Sequence, residues 1–262
     1  MSDLTILITG ASRGLGAAAA RAAAQLGANV VLTARSAADL EAVAEAVRRG
    51  GGQALAVPGD VGRPEDDEAV VARALERFGA LDALVNNAGI LGPVAPLAEA
   101  QADAWTENWA VNVLGPVLLT RAALPHLRER RGRVINVSSG AAVSPVPGWG
   151  AYCLSKAAVT HLTRMIAAEE PDVTAISFRP GVIDTDMQAT IRREGARGMP
   201  PEEYERFVAY HRRGELLPPA VPGCALAVLA FYAPSEWSGS FLSWDEERVQ
   251  ALVRRYACSA VK

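Results

Sequence analysis

The sequence predicts one α/β domain in which helices cover both faces of a doubly wound parallel sheet. Three observations indicate this class. Short apolar segments alternate with longer helical patterns along the 262 residues, which is typical of parallel sheets. Hydrophobic residues make up 50% of the chain, enough for a large core. No repeat, linker or change of composition marks a second domain, so we expect a single domain over residues 1–262.

The strands are predicted from short apolar runs that are bounded by turn residues. Pro58, Gly59 and Asp60 close the third run, and Pro180 and Gly181 follow the sixth. In chain order the predicted strands are Leu4–Thr9, Asn29–Ala34, Ala54–Val57, Leu81–Asn86, Val134–Ser138, Val173–Phe178 and Phe241–Ser243.

The helices are predicted from apolar residues at helical spacing and from their end signals. Gly27 ends the first helix, and Pro64 lies in the first turn of the third, where proline is well tolerated. The predicted helical segments are Gly14–Leu26, Ala37–Arg49, Pro64–Phe78, Leu97–Arg130 with breaks near Gly115 and Pro116, Gly150–Glu169, Pro219–Phe231 and a last helix from Glu246. A charged, irregularly helical stretch is expected up to about Glu215.

The composition disfavours several classes of protein. A net charge of −3 and a pI near 5.7 give no electrostatic footprint for nucleic acid. No apolar stretch reaches about 18 residues without a charge, so no membrane span is expected. The first strand begins at about Leu4, which leaves no room for a signal peptide, and we expect a cytoplasmic protein.

The three cysteines, Cys153, Cys224 and Cys258, are odd in number and far apart. They show neither metal-ligand spacing nor a disulfide framework, so a reducing compartment is expected and no metal site is predicted. Cys153 is interpreted as a small buried hydrophobe, with a reactive thiol as the alternative.

Lys156 is the most informative residue of the chain. Only two of the 26 basic side chains are lysine, and the other, Lys262, is the last residue. Lys156 therefore indicates a site that needs a compact ammonium group rather than a guanidinium. Tyr152 lies four residues earlier, on the same face of a predicted helix. A neighbouring cation favours phenolate, so we expect Tyr152 to be a general acid of lowered pKa.

The surroundings of this pair distinguish a site from a chance surface pair. Ser139 follows the predicted strand Val134–Ser138, which is apolar and β-branched. Open α/β sheets bind ligands in the crevice at the carboxyl ends of their strands. Ser139 and Tyr152 are therefore expected to face the same crevice.

The first strand leads into Thr9-Gly10-Ala11-Ser12-Arg13-Gly14-Leu15-Gly16 and then into a helix. Gly10 suits a tight turn, Gly14 permits approach of a pyrophosphate, and Gly16 permits close packing of helix and strand. The helix N-terminus attracts the phosphate charge. This order predicts a dinucleotide site, with a simple tight turn as the alternative.

The end of the second strand indicates which dinucleotide binds. An acidic residue there would hold the ribose hydroxyls and repel a 2′-phosphate. The chain has Ala34, Arg35 and Ser36 instead, and Arg13 lies in the glycine-rich loop. Two guanidinium groups without a carboxylate favour NADP over NAD. The alternative is that Arg35 is a plain surface charge.

Two further candidates follow strands three and four. Asp60 and Val61 lie where an acid accepts from an adenine amino group, with an Asx turn as the alternative. Asn86-Asn87-Ala88-Gly89 ends strand four, and amides in this apolar setting require hydrogen bonds. We expect a mixed structural and cofactor-binding role for this segment.

Together these motifs give the chain a resemblance to the short-chain dehydrogenase/reductase family over nearly its whole length. The matching residues are Thr9–Gly16, Asp60, Asn86–Gly89, Asn112, Ser139, Tyr152, Lys156, Pro180 and Gly181. The resemblance implies a Rossmann-like sheet of about seven parallel strands. It also implies a catalytic tetrad, formed by Asn112, Ser139, Tyr152 and Lys156.

A closer resemblance, to the benzil reductase and sepiapterin reductase branch, rests on four segments. They are Ser138–Ala142, Gly148–Cys153, Glu169–Pro171 and Pro180–Gln188. Members of this branch reduce vicinal dicarbonyl compounds with NADPH. Sepiapterin reductases anchor the pterin with an aspartate near the C-terminal strand, where this chain has Ser243, with Asp245 two residues later. The resemblance therefore implies a diketone reductase, with a pterin side-chain reductase as the alternative.

The resemblance also implies roles. NADPH supplies hydride, Ser139 donates a hydrogen bond to the carbonyl oxygen, and Tyr152 protonates that oxygen. Lys156 lowers the pKa of Tyr152 and holds the nicotinamide ribose, while Asn112 holds a water that relays protons to it. Without the resemblance, Asn112 would be interpreted as a residue at a helix kink. The predicted cofactor-binding residues are Gly10, Ser12, Arg13, Gly14, Leu15, Gly16, Arg35, Asp60, Val61, Asn87, Ala88, Gly89, Tyr152, Lys156, Pro180, Gly181, Ile183 and Thr185.

The substrate is expected between the Ser139–Tyr152 pair and the segment 184–215. This segment mixes charges with apolar residues and suits a mobile lid; the alternative is a surface helical pair that completes the core. Its apolar residues are Met187, Ile191, Met199, Tyr204, Phe207 and Val208. Trp149 is expected either to wall the pocket or to pack its loop. The predicted substrate-binding residues are Ser139, Trp149, Tyr152 and Met187, and an apolar or aromatic carbonyl compound is favoured.

The helices at Trp105–Arg130 and Gly150–Glu169 carry apolar residues on more than one face. Such helices need cover on both sides, so a homodimer or homotetramer is predicted, as the family resemblance also implies. Two functions of other classes are disfavoured by the sequence. A non-catalytic NADP-sensing regulator is disfavoured by the intact Ser139, Tyr152 and Lys156, and an NAD-linked alcohol dehydrogenase by the absence of an acid at Ala34.

Overall fold

Within residues 4–256, which a computed structural model describes, seven strands form one parallel sheet. They are β1 (Thr5–Thr9), β2 (Asn29–Thr33), β3 (Gln53–Ala56), β4 (Ala83–Asn86), β5 (Arg133–Val137), β6 (Thr174–Arg179) and β7 (Phe241–Ser243). Their spatial order is β3-β2-β1-β4-β5-β6-β7. The chain thus winds outward from β1 in one direction and from β4 in the other. This reversal of winding opens a crevice between the carboxyl ends of β1 and β4.

Ten α-helices of the described residues flank the sheet. They are α1 (Gly14–Gln25), α2 (Ala37–Arg49), α3 (Pro64–Phe78), α4 (Ala102–Trp109), α5 (Gly115–Glu129), α6 (Gly150–Glu169), α7 (Asp186–Gly198), α8 (Pro201–Arg212), α9 (Ala220–Tyr232) and α10 (Glu247–Tyr256). Helices α1, α2, α9 and α10 bury their apolar residues on one face of the sheet. Helices α3, α5 and α6 bury theirs on the other. None of the helices within residues 4–256 combines the length and apolar character that crossing a membrane requires.

The predicted fold class is confirmed by this architecture. The bounds of α2, α3, α6 and β7 agree with the prediction, and most other bounds differ by one or two residues. Local end signals explain this agreement. Helix α3 begins at Pro64 and ends before Gly79, whose φ of +77° lies in the left-handed region that glycine adopts without strain. Cys258 and Lys262 lie outside the described residues.

Two helical predictions need correction. The break near Gly115 and Pro116 is a π-helical segment, Ala110–Leu114, which joins α4 to α5 without a loop. Segments of this kind inside α-helices are frequent at functional sites. The stretch before Glu215, predicted as irregularly helical, forms two regular helices, α7 and α8, which are separated at Met199 and Pro200.

Candidate active site

A cavity of about 1220 Å³ lies at the carboxyl edge of the sheet, in the crevice between β1 and β4. It runs from the glycine-rich loop to helices α7 and α8. The predicted site residues that line it are Gly10, Ser12, Arg13, Gly14, Leu15, Arg35, Asp60, Val61, Asn87, Ala88, Gly89, Ser139, Trp149, Tyr152, Lys156, Pro180, Gly181, Ile183, Thr185 and Met187. Gly16 and Asn112 lie behind this lining. The predicted residues are therefore brought together around one space.

The glycine-rich loop needs glycine at particular positions, because of its backbone conformation and because of its close contacts. Gly10 and Gly14 have φ values of +61° and +55°, which side chains other than glycine rarely adopt. A Cβ atom at Gly10 would lie 2.8 Å from the Ala88 Cα, so the loops after β1 and β4 are in contact. A Cβ atom at Gly16 would collide with the Gly10 carbonyl oxygen. Each predicted glycine is thus required by its position.

Hydrogen bonds also hold together the loops after β1 and β4. The Thr9 Oγ1 accepts hydrogen bonds from the backbone N–H groups of Asn87 and Ala88, both at 2.9 Å. The Asn87 Nδ2 donates to the Thr9 carbonyl oxygen at 2.8 Å. Asn86 points elsewhere and donates to Asn136 at 2.8 Å. The predicted mixed role of this segment corresponds to a purely structural Asn86 and a cavity-lining Asn87.

The N-terminus of α1 suits an anion. Arg13 occupies the cap position without a side-chain hydrogen bond to the helix, and the first turn contains no acidic residue. The free N–H groups of this turn and the helix dipole therefore favour a phosphate beside Gly14 and Leu15, which line the cavity. Arg35 follows β2 at the same edge. These residues fit a dinucleotide, including one with an additional phosphate on its ribose.

Arg13 has a partner that the sequence did not reveal. Its Nε lies 2.9 Å from the Asp186 Oδ2 at the first residue of α7, and both side chains are well exposed. Thr185 lies beside the loop as well, since a Cβ atom at Gly14 would be 3.3 Å from its Cγ2. The start of α7 therefore closes over the glycine-rich loop.

Helix α6 places Tyr152 and Lys156 at the other side of the cavity. Both side chains are buried, with exposed fractions of 6% and 4%. The Lys156 Nζ donates to the Val137 carbonyl oxygen at 2.8 Å and lies 5.6 Å from the centre of the Tyr152 ring. Ser139, two residues beyond β5, interacts with the Tyr152 side chain, and its Oγ accepts from the Ala141 N–H at 3.2 Å. Its neighbour Ser138 is tied to Thr160 at 2.7 Å and is structural.

The expected lowered pKa of Tyr152 is wrong for this structure. Burial raises the pKa of Tyr152 to about 12, and the hydrogen bond with Ser139 offsets only part of this effect. Burial also lowers the pKa of Lys156 to about 8. The ammonium group is directed at the Val137 carbonyl oxygen and not at the phenol oxygen, so desolvation dominates both groups.

Asn112 lies in the π-helical segment with its side chain buried. Its Oδ1 accepts from the Ile90 N–H at 2.8 Å, and its Nδ2 donates to the Ile90 carbonyl oxygen at 2.9 Å and to Ser155 at 3.1 Å. A Cβ atom at Gly89 would lie 3.2 Å from the Asn112 Oδ1 and 3.4 Å from the Lys156 Nζ. Gly89 thus keeps open the space between the two side chains. The π-helical segment therefore accounts both for the break in the helix at Asn112 and for the position of Asn112 beside the site.

The end of the cavity beyond Tyr152 is apolar. Trp149 packs edge to face on Tyr152, with ring centres 5.9 Å apart. Phe207 of α8 lies 4.7 Å from Trp149, again between ring centres. Met187 is partly buried against the same cluster. The sequence left two roles open for Trp149, a wall of the pocket or packing of its own loop. The structure shows both.

Segment 184–215 covers this apolar end. Ile191, Met199 and Phe207 are buried in the cluster, as the sequence suggested, and Tyr204 is partly buried against it. A Cβ atom at Gly148 would collide with the Gly198 carbonyl oxygen, so α7 ends in close contact with the loop before α6. The sequence missed Leu91 and Asp186 as cavity-lining residues. The one signal for Leu91 in the sequence is that an apolar residue stands two positions beyond Gly89.

Comparisons with known proteins agree with this geometry. A family model described as short chain dehydrogenase matches residues 4–196. The chain is 35% identical over 256 residues to a benzil reductase ((S)-benzoin forming) of Saccharomyces cerevisiae, covering 93% of this chain and 97% of the relative.

Two solved structures are similar along nearly the whole chain. A short-chain dehydrogenase/reductase of Saccharomyces cerevisiae has a TM-score of 0.91 at 34% identity, covering 95% of this chain and 99% of that one. An alcohol dehydrogenase from the archaeon Thermococcus sibiricus, complexed with 5-hydroxy-NADP, has a TM-score of 0.77 at 30% identity, covering 92% and 95%. Proteins of this family use nicotinamide cofactors. The chain is therefore an oxidoreductase and belongs to the short-chain dehydrogenase/reductase family, in its benzil reductase-like branch.

Proposed function

We propose that the protein is an NADPH-dependent carbonyl reductase that converts one carbonyl group of a vicinal diketone to the hydroxyketone. The observation that carries this proposal is the convergence of Ser139, Tyr152 and Lys156 on the cavity that the glycine-rich loop enters. A dinucleotide and a carbonyl compound would fit end to end in this one cavity. The hydroxyl groups of Ser139 and Tyr152 lie where the two would meet.

The nicotinamide, when bound, supplies the hydride that adds to the carbonyl carbon. Ser139 donates a hydrogen bond to the carbonyl oxygen and fixes its position beside Tyr152. Tyr152 donates its proton to that oxygen as negative charge develops. With a pKa of about 12 the phenol holds its proton at neutral pH, yet it yields the proton to an alkoxide, which is a much stronger base.

Lys156 and Asn112 support this proton transfer. With a pKa of about 8, Lys156 is mostly charged at neutral pH, and its buried ammonium stabilises the phenolate that forms at Tyr152. Asn112 is held by four hydrogen-bonding groups and borders the space kept open by Gly89. After Lys156 passes a proton to the Tyr152 phenolate, we propose, a water positioned by Asn112 supplies the proton that recharges Lys156.

The preference for NADPH is supported by charge. Arg13, in the glycine-rich loop, and Arg35, after β2, both line the cavity, and Ala34 stands in place of an acid at the end of β2. Guanidinium groups bind phosphate with two parallel hydrogen bonds, and the end of β2 carries no carboxylate that would repel it. The Thermococcus sibiricus relative was solved with an NADP derivative.

The diketone is supported by the apolar end of the cavity and by the benzil reductase relative. A second carbonyl group withdraws electrons and makes the first a better hydride acceptor. The hydroxyketone product lacks this activation, so reduction stops after one step. Segment 184–215 is proposed as a mobile lid over this end. A sepiapterin-type substrate is disfavoured because Ser243 is a hydroxyl where an aspartate would anchor a pterin.

The test is NADPH oxidation with benzil, acetophenone and sepiapterin as substrates. We expect rapid turnover of benzil to a hydroxyketone and slow turnover of acetophenone. Equal rates on benzil and acetophenone, or activity confined to sepiapterin, would contradict the diketone assignment. Binding of NADPH without turnover of any carbonyl compound would point to a cofactor-sensing regulator.

We also propose a homodimer formed by α4, α5 and α6. These helices and the π-helical segment between α4 and α5 leave large apolar side chains exposed, among them Trp109 and Leu114 at 43%, Leu154 at 55% and Met165 at 43%. A second copy related by a two-fold axis would cover them.

A further inference from the structure

Helix α8 contributes one side chain to the lining of the cavity, that of Phe207. Its sequence is strongly charged, and the described structure of this helix has Phe207 as its one buried residue, 6% exposed. The ring of Phe207 lines the cavity together with Trp149 and Tyr152. Tyr204 and Tyr210 of the same helix are only partly buried against this cluster and do not line the cavity, so Phe207 is the aromatic residue that α8 presents to it.

The three aromatic rings form a continuous wall. Phe207 lies 4.7 Å from Trp149 with a tilt of 34°, and Trp149 lies 5.9 Å from Tyr152 at 88°. The remaining cavity-lining members of the cluster are Leu91, Met187 and Ile191. None of these six side chains is charged. A flat apolar group bound next to the reacting carbonyl would therefore lie against aromatic rings, and leaving water would cost it no hydrogen bonds.

We propose that Phe207 is a specificity-determining residue that binds the aryl substituent of the substrate, so that aryl diketones are preferred over alkyl diketones. This inference rests on the proposed diketone reduction and adds to it a residue and a substrate class. Phe207 is suited to this role because it reaches the cavity from α8, whereas Trp149 lies at the start of α6 and packs on Tyr152 itself.

The fold allows Phe207 to be tested separately from the lid. Tyr204 donates from its hydroxyl group to the Arg192 carbonyl oxygen at 2.9 Å, and its ring packs closely on Gly195. Helices α7 and α8 are therefore joined without Phe207. Val208, the next residue of α8, does not belong to the cavity lining and provides a matched apolar truncation.

The experiment compares kcat and KM for benzil and for 2,3-butanedione in the parent enzyme, Phe207→Ala, Phe207→Leu and Val208→Ala. We expect Phe207→Ala to lower the ratio of kcat/KM for benzil over butanedione by about tenfold, mainly through KM, since an aromatic contact is lost. Phe207→Leu should lower the ratio less, and Val208→Ala should leave it unchanged.

Other outcomes would overturn the inference. If Phe207→Ala lowers kcat equally for both diketones, Phe207 merely supports Trp149 and Tyr152. If its ratio stays that of the parent, the aryl group binds elsewhere. If thermal denaturation shows that Phe207→Ala is not folded, the kcat/KM ratio of benzil over butanedione in Phe207→Leu decides whether Phe207 binds the aryl group. If the parent enzyme reduces neither diketone, the proposed function itself is wrong, and this outcome is distinct from the others.

Discussion

The Arg13 Nε lies 2.9 Å from the Asp186 Oδ2, which pairs the glycine-rich loop with the first residue of α7 across the mouth of the cavity. Arg13 is also proposed to bind the 2′-phosphate of NADPH. A guanidinium has five N–H donors, so its remaining groups are available for that phosphate. Asp186, however, brings a negative charge close to the same place.

Removing this charge should strengthen the binding of NADPH. We expect Asp186→Asn to lower the Kd for NADPH a few-fold, within the ~1 kcal/mol that an exposed ion pair contributes, and to change the Kd for NADH less. Fluorescence titration measures both constants. Glu236→Gln, which removes an exposed negative charge away from the cavity, is the control. Weaker NADPH binding in Asp186→Asn would show that the carboxylate instead orients Arg13.

Arg35 should determine the choice between the two nicotinamide cofactors. The parent enzyme is expected to prefer NADPH by roughly 1–3 kcal/mol, the range of hydrogen bonds to charged groups. Arg35→Asp places a carboxylate at the end of β2 and should reverse much of this preference. The ratio of kcat/KM for the two cofactors measures it. A parent enzyme that binds NADH at least as tightly as NADPH contradicts the assignment.

Tyr152 and Lys156 should be needed for turnover and not for folding. Tyr152→Phe removes the proposed acid, so kcat should fall at least ~100-fold, the usual effect of general acid catalysis, while the Kd for NADPH stays nearly the same. Lys156→Arg keeps the charge but does not fit the compact site, and it should also reduce kcat strongly. Near-normal kcat in either variant argues against the proposed roles.

The buried Lys156 should make stability depend on pH. Its pKa is about 8 in the folded chain against an ordinary value of 10.5, so between these values the unfolded chain binds more protons. The free energy of unfolding should therefore rise by about 2 kcal/mol from pH 8 to pH 10 through this group. Above pH 10 the raised pKa of Tyr152 acts in the opposite direction, because the unfolded phenol ionises first.

Lys156→Met isolates this effect, because it removes the titrating group and keeps the unbranched chain. Denaturant unfolding of both proteins at pH 8, 9 and 10 gives the difference in free energy. We expect the difference to change in favour of the parent protein as pH rises. A difference that is constant with pH would show that Lys156 titrates normally.

The exposed apolar residues of α6 should hold two copies together. Leu154→Arg places a charge in the proposed interface and should yield monomers at micromolar concentration, whereas the parent chain should be at least a dimer by light scattering. Ala42→Arg, at an exposed position of α2 on the other layer, is the control. A monomeric parent chain would refute the predicted assembly.

The fold was predictable where residues carry local signals. Pro64 and Gly79 bound α3, and the spacing of Tyr152 and Lys156 places them on one helix face, so their helices were assigned with correct bounds. The glycine-rich loop and the carboxyl ends of parallel strands likewise put the candidate residues at one edge of the sheet. These relationships depend on short-range geometry.

Relationships between distant segments were not predictable. The pairing of Arg13 with Asp186 joins residues 173 positions apart in the chain, and neither side chain differs in kind from many other surface charges. The sign of the pKa shift at Tyr152 was missed because it depends on burial and on where the Lys156 ammonium points. Both require coordinates and not only spacing.

The Thr9 hydroxyl, which accepts from two successive N–H groups of the β4 loop, has a consequence for redesign of this enzyme. The glycine-rich loop and the loop that contains Gly89 beside Lys156 are therefore held together through this hydroxyl group and the Asn87 side chain. Exchanging either loop alone for that of a relative would leave donors or acceptors unmatched in a buried place. Grafts that alter cofactor choice should therefore carry Thr9 and Asn87 together.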